Sequence, residues 1–187
     1  MQGYAERDTG ERGIQKTEAL RRFLFLFRQV ERGGAKAEMD RRYLTLTSQK
    51  GNPIPQIRNW YGKLDVRNVN REDYKKIASP LMLEMRTGLD TICADIMTSP
   101  VLMVSEEAME VILLYDRNMP YFFVVLFDAE KEQSTVYYCP VLADDADGGK
   151  EVIYRIKKPS GSVIKICEEL AESLLERGVC GLGLQRD

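Results

Sequence analysis

The eight residues YFFVVLFD, 121–128, are aromatic or aliphatic up to their final Asp128, and no other stretch constrains the fold as tightly. The run is far shorter than the roughly 18 apolar residues of a membrane span. Its aromatic and β-branched content instead predicts a strand covered on both sides. Pro120 ends whatever precedes it and AEKEQ supplies a turn. STVYYCPVL (134–142) then reads as a second strand, in which Pro140 removes one ladder donor and places an edge or bend. EVIYRIKK (151–158) alternates well enough for a third. The three together predict an antiparallel meander.

Such a sheet needs helices to cover it, and the chain offers two beside it. Ser105 stands where it can cap a helix with Glu106 and Glu107 in the first turn and Ala108, Val111, Ile112 and Tyr115 on one face. VIKICEELAESLLERG carries Val163, Ile166, Cys167, Leu170, Ala171 and Leu174 at helical spacing, with Gly178 placed for a C-cap, which predicts a helix from 163 onward. Shorter strands are predicted for RYLTLTS (42–48), for LMLEM after Pro80 and for the tail VCGLGL. Thr87 to Pro100 reads as a loop or short helix, and a further short helix begins near Asn70. The expectation is an α+β domain over 39–187, an antiparallel meander sheet packed by helices. Residues 1–38 form an N-terminal extension, in which Leu20, Phe23, Leu24, Phe27 and Val30 make the apolar face of an amphipathic helix over 17–31.

Composition narrows the function. The 187 residues include no histidine, so His-based triads, His general bases and imidazole metal sites are all excluded. The N-terminus lacks the order of a signal peptide, and the chain reads as cytoplasmic, without a membrane span. Cys93, Cys139, Cys167 and Cys180 are too far apart in sequence for a zinc or thioredoxin-type motif and are expected as free thiols. Residues 79–150 carry 13 acidic and 4 basic side chains, whereas residues 1–78 carry 17 basic and 10 acidic. That asymmetry suits either steering of a charged partner or attraction between parts of one fold. Arg58, Lys63, Arg67, Arg71, Lys75 and Lys76 mix with Trp60, Tyr61 and Tyr74 as nucleic-acid surfaces do. The chain as a whole is acidic and holds no nucleic-acid motif, so no nucleic-acid partner is expected, and Trp60 reads as a core anchor.

Catalytic constellations are missing from the sequence. Asp144, Asp145, Asp147 and Gly148 resemble a calcium loop only in part, because Ala143 and Tyr154 stand where ligands belong. These acids read instead as a solvated tip or as a contact for a basic partner. Asp128, Glu130 and Lys131 follow a strand as nuclease metal ligands do, but with poor spacing. There is no phosphate-binding glycine loop and no nucleophile elbow, so the expectation is no enzyme, with no catalytic residue, cofactor or metal.

The order IPQIRNWYGKLDVRNVNREDYKKI, SPVLMVSEEAMEVILLYDRNMPYFFVVLFD, STVYYCPVL and AESLLERGVCGLGL resembles small bacterial immunity-type proteins of poorly characterised families associated with polymorphic toxin systems, over about residues 43–184. The resemblance implies a non-catalytic α+β protein that binds and neutralises a cognate protein toxin, with Asp144, Asp145 and Asp147 as candidate partner-binding acids. The alternative is a structural or regulatory domain that docks a partner through the 17–31 helix.

Overall fold

The computed structural model describes residues 41–49, 54–144, 150–159 and 161–186, all within the unit Asp40–Asp187. The helix expected over 17–31 lies outside the described residues. The eleven described strands, in chain order, are β1 (Tyr43–Ser48), β2 (Gln56–Arg58), β3 (Leu81–Arg86), β4 (Ile96–Met97), β5 (Met103–Val104), β6 (Tyr121–Asp128), β7 (Gln133–Pro140), β8 (Ala143–Asp144), β9 (Ile153–Lys158), β10 (Gly161–Cys167) and β11 (Leu182–Gln185). Two α-helices accompany them among the described residues, α1 (Glu106–Tyr115) and α2 (Glu168–Glu176). The class is α+β, but the strands form two sheets, with orders β11-β1-β10-β9-β8 and β2-β3-β6-β7-β5-β4.

The expected meander is therefore corrected. β6 and β7 make the anticipated hairpin, with Val125 opposite Val136, whereas β9 joins the other sheet between β10 and β8. Both sheets are mixed, because β3 runs parallel to β6 and β8 parallel to β9. The last predicted helix is corrected as well. Residues 161–167 are strand, and the helix starts only at Glu168. Val163, Ile164 and Ile166 are β-branched and find ladder partners on β9, with β1 on the strand's other side. Tertiary pairing thus decides a stripe that is helical by spacing alone. The acidic pair Glu168–Glu169 then opens the true helix, where the N-terminal dipole favours it. Near Asn70 a 3₁₀ turn, Tyr74–Lys76, replaces the expected helix. The Asn70 side-chain oxygen accepts from the Glu72 and Asp73 amides at 2.9 Å each and closes the turn that leads into it.

α1 forms as anticipated. The Ser105 hydroxyl accepts from the Ala108 amide, and Ala108, Met109, Val111 and Ile112 are buried. Their partners include Ile153, Ile164 and Ile166 of the first sheet, Leu170, Ala171 and Leu174 of α2, and Ile96 and Val104 of the second sheet. The Tyr115 hydroxyl donates to the Glu169 carbonyl at 3.1 Å and joins the two helices. A second core lies on one face of the second sheet, where Leu83, Met85, Phe122, Val124, Leu126, Tyr137 and Cys139 meet Leu64 and Val69, with Trp60, Tyr74 and Ile77 at its margin. Within the second sheet's core the Tyr137 hydroxyl donates to the Ala94 carbonyl at 2.9 Å.

The sheets are stitched together beside β4. The Asp95 carboxylate accepts from the Cys180 amide at 2.7 Å, and Ser48 and Thr98 share a hydroxyl hydrogen bond of 2.8 Å. Gly181 passes this seam at φ +84°, and a Cβ there would sit 2.6 Å from the Ala94 Cβ and 2.8 Å from the Ile96 carbonyl oxygen. Only glycine satisfies both the conformation and the space.

Candidate interaction surface

β6 is the strand from which the surface is built, and it departs from the expectation of cover on both sides. Phe122, Val124 and Leu126 are buried, while the alternating Tyr121 and Phe123 are each 36% exposed and Val125 and Phe127 half-buried. The period of two puts Tyr121, Phe123, Val125 and Phe127 on one face. Register then assigns their neighbours. Val125 faces Val136 of β7 on one side and Met82 of β3 on the other, and Phe123 faces Tyr138. Val136 is 51% and Met82 47% exposed. Three aromatic rings gather at one end, with centroids 5.0 Å apart for Phe123 and Tyr138, 5.5 Å for Tyr121 and Phe123 and 5.6 Å for Tyr121 and Tyr138.

This apolar patch is continuous across three strands, unlike the scattered exposed apolar side chains found on most surfaces. α1 packs against β7 beside this patch, and among the described residues Met82, Tyr121, Phe123 and Val136 remain exposed on the face of β3, β6 and β7. The helix also sets the charge of one rim. Burial raises the Tyr138 phenol above its ordinary value, and the nearby Glu106 and Glu110 carboxylates add to that rise. Across the sheet, Arg86 and Glu84 share the outer face of β3 with Met82, and Glu84 accepts from the Asn59 amide at 2.9 Å. The edges beyond are short, three residues in β2 and two in β4, which limits strand-to-strand aggregation.

The predicted acids fall elsewhere. Asp144 lies in β8, and the structure brings it to Arg155 Nε at 2.6 Å and Lys157 Nζ at 2.7 Å, with 19% of its side chain exposed. Burial by itself would raise its carboxyl, but hydrogen bonds from Arg155 and Lys157 hold it below the usual carboxylate value. Asp145 and Asp147 lie outside the described residues. Asp128 is buried at the end of β6, where it accepts from the Thr87 amide and hydroxyl and from the Glu130 and Lys131 amides. Its carboxyl is lowered, chiefly by Thr87. It caps the hairpin turn and ties that turn to β3's end, a structural duty that fills its acceptor sites.

Three of the six cations in the cation–aromatic mixture of residues 58–76 are held in ion pairs. Arg71 meets Glu151 at 2.8 Å, Lys76 meets Asp73 at 2.6 Å and Arg67 meets Asp65 at 2.7 Å. Trp60 is half-buried against the second core and stacks on exposed Tyr61 at 3.9 Å. All four cysteines are free, Cys139 and Cys167 buried and Cys93 and Cys180 exposed. Among the described residues no group of three or more acids or cysteines converges as a metal site, and no helix is long and apolar enough to cross a membrane.

The open face was missed in the sequence because a continuous apolar run carries no mark of which alternate residues are covered. The usable signal lay across strands, in Met82, Val136 and Tyr138 all falling opposite one side of β6. No protein-family model matches this chain, and no curated protein matches it in sequence.

Proposed function

We propose that the protein is a non-catalytic binding protein of the immunity type, which neutralises a cognate bacterial toxin by direct binding through the open face of its second sheet. The observation that supports this reading most is the contiguous patch of Met82, Tyr121, Phe123, Val136 and Tyr138, since aromatic and methionine side chains at the centre of a patch are what protein interfaces enrich. The occupant is a protein that inserts apolar anchors there and sets lysine or arginine against the rim. Charge complementarity argues for it: Glu106 and Glu110 of α1 lie near Tyr138 at the border of the patch, in the part of the chain with 13 acids against 4 bases. Asp145 and Asp147 add to the acidic field that steers association, whereas Asp144 is taken up by Arg155 and Lys157.

The test is co-expression with the product of a neighbouring toxin-like gene. Wild-type protein restores growth and forms a stoichiometric complex, whereas Phe123→Asp and Val136→Lys lose both while keeping the fold. Rescue by the face variants moves the binding surface elsewhere, and failure of the wild-type protein to bind any encoded toxin defeats the immunity reading. The second reading, a regulatory domain docking through residues 17–31, rests on the apolar face Leu20, Phe23, Leu24, Phe27 and Val30. Deleting residues 1–38 abolishes partner binding under that reading and leaves toxin neutralisation intact under the first.

A further inference from the structure

The aromatic end of the open face has an acidic neighbour, and the register explains why. Val104 of β5 pairs with Tyr138 of β7, so the chain enters α1 beside that ring. Glu106 and Glu110 are four residues apart and share one side of α1, both exposed and both near the Tyr138 phenol. Among the described residues neither carboxylate has an ion pair.

The rings are arranged to receive a cation. The planes of Tyr121 and Phe123 stand at 88°, and Tyr138 is tilted 55° from the first and 58° from the second, so no pair is stacked. Ring faces are therefore not sealed by parallel neighbours, and Tyr121 and Phe123 are each 36% exposed. An aromatic face is the negative part of its quadrupole and attracts a cation, and a carboxylate beside it adds to the attraction. A guanidinium suits both groups. Its plane stacks on a ring while its N–H fork reaches sideways to a carboxylate, whereas an ammonium is a strongly hydrated point charge that must shed more water to sit on a ring. We propose that an arginine of the protein partner anchors this corner, its guanidinium over the Tyr121–Phe123–Tyr138 cluster and its N–H groups toward Glu106 and Glu110. The inference rests on the binding reading above and narrows it: apolar contacts along Met82, Val125 and Val136 seat the partner, and the arginine fixes its orientation.

Nuclear magnetic resonance titration of the full chain with N-acetyl-arginine amide, N-acetyl-lysine amide and N-acetyl-citrulline amide tests it, citrulline being the neutral isostere of arginine. The arginine probe shifts the ring signals of Phe123 and Tyr138 saturably, in the millimolar range of a single side chain, and added salt weakens it. The lysine probe is weaker by about threefold and the citrulline probe by about fivefold or more. Glu110→Gln removes charge and Phe123→Leu removes a ring at similar bulk; each weakens the arginine probe by about threefold or more while keeping a cooperative melt. Equal binding of the arginine and citrulline probes, no saturable shift at millimolar concentration, or unchanged arginine affinity in either variant overturns the proposal. None of the probes is a toxin, so a failed titration removes the arginine anchor alone, and co-expression with a toxin bears on the immunity reading alone.

Discussion

Adjacent residues on the β6–β7 hairpin separate a covered face from an open one, and stability alone distinguishes them. Leu126 is fully buried, so Leu126→Ala loses both its transfer energy and the packing around the cavity, about 3 kcal/mol within a usual range of ~2–5. Val136 is 51% exposed. Burying a valine side chain completely contributes roughly 1.5–3 kcal/mol, so Val136→Lys forfeits about 1 kcal/mol, part of it recovered by the aliphatic stem of lysine. At roughly 2–4 °C per kcal/mol for a chain of this size, the two variants melt about 6–12 °C and 2–4 °C below wild type. Chemical denaturation with matched slopes reads the same difference as free energy. If Val136→Lys is as damaging as Leu126→Ala, the outer face is covered in the protein and the docking argument loses its foundation.

Four further outcomes are expected. Gly181→Ala destabilises by about 2 kcal/mol or more, because it adds a Cβ at positive φ against the Ile96 carbonyl; a neutral result in thermal melts would show that the seam can open at no cost. A thiol reagent labels Cys93 and Cys180 rapidly and reaches Cys139 and Cys167 only on unfolding; burial raises the Cys139 thiol and pushes Cys167 up to about 11, and four fast thiols by mass spectrometry would contradict this. Asp144 has a lowered carboxyl, so its stabilisation is present above its unfolded value of 3.8 and is lost as pH falls below it. Asp144→Asn therefore shows a smaller loss of stability between pH 5 and about pH 3 than wild type, and an unchanged acid limb counts against the pairing. Tyr137, raised chiefly by burial, stays protonated after exposed phenols ionise, and the stability it contributes is lost only as pH rises above the ordinary phenol value. Ultraviolet titration of Tyr137→Phe then loses the late step alone.

Where one physical rule governed an element, the sequence was readable. Ser105 with Glu106 and Glu107 marked α1 because capping is local chemistry. YLTLTS followed from alternation, and the YFFVVLFD hairpin from a continuous strand-forming run and its turn residues. Val163 to Cys167 went astray because their spacing fits either period, and the decision came from β1 and β9, which are remote in sequence or brought close only by a hairpin. The place of β9 in the first sheet was hidden for a related reason, since nothing local distinguishes a third meander strand from one that crosses to another sheet. The acidic cluster was visible as composition. That Asp144 turns inward to Arg155 depended on the parallel pairing of β8 with β9.

The first sheet has an implication for synthesis. β1 lies near the start of the described chain, yet its two neighbours are β10 and β11, which are translated more than a hundred residues later. A nascent chain that has released β1 from the ribosome holds an apolar strand with both edges bare until Gly161–Gln185 emerges. The second sheet, made entirely of residues 56–140, can assemble in the interval. The order of emergence thus makes the second sheet the platform on which the first closes, and a stall before residue 161 leaves β1 as the segment a chaperone has to shield.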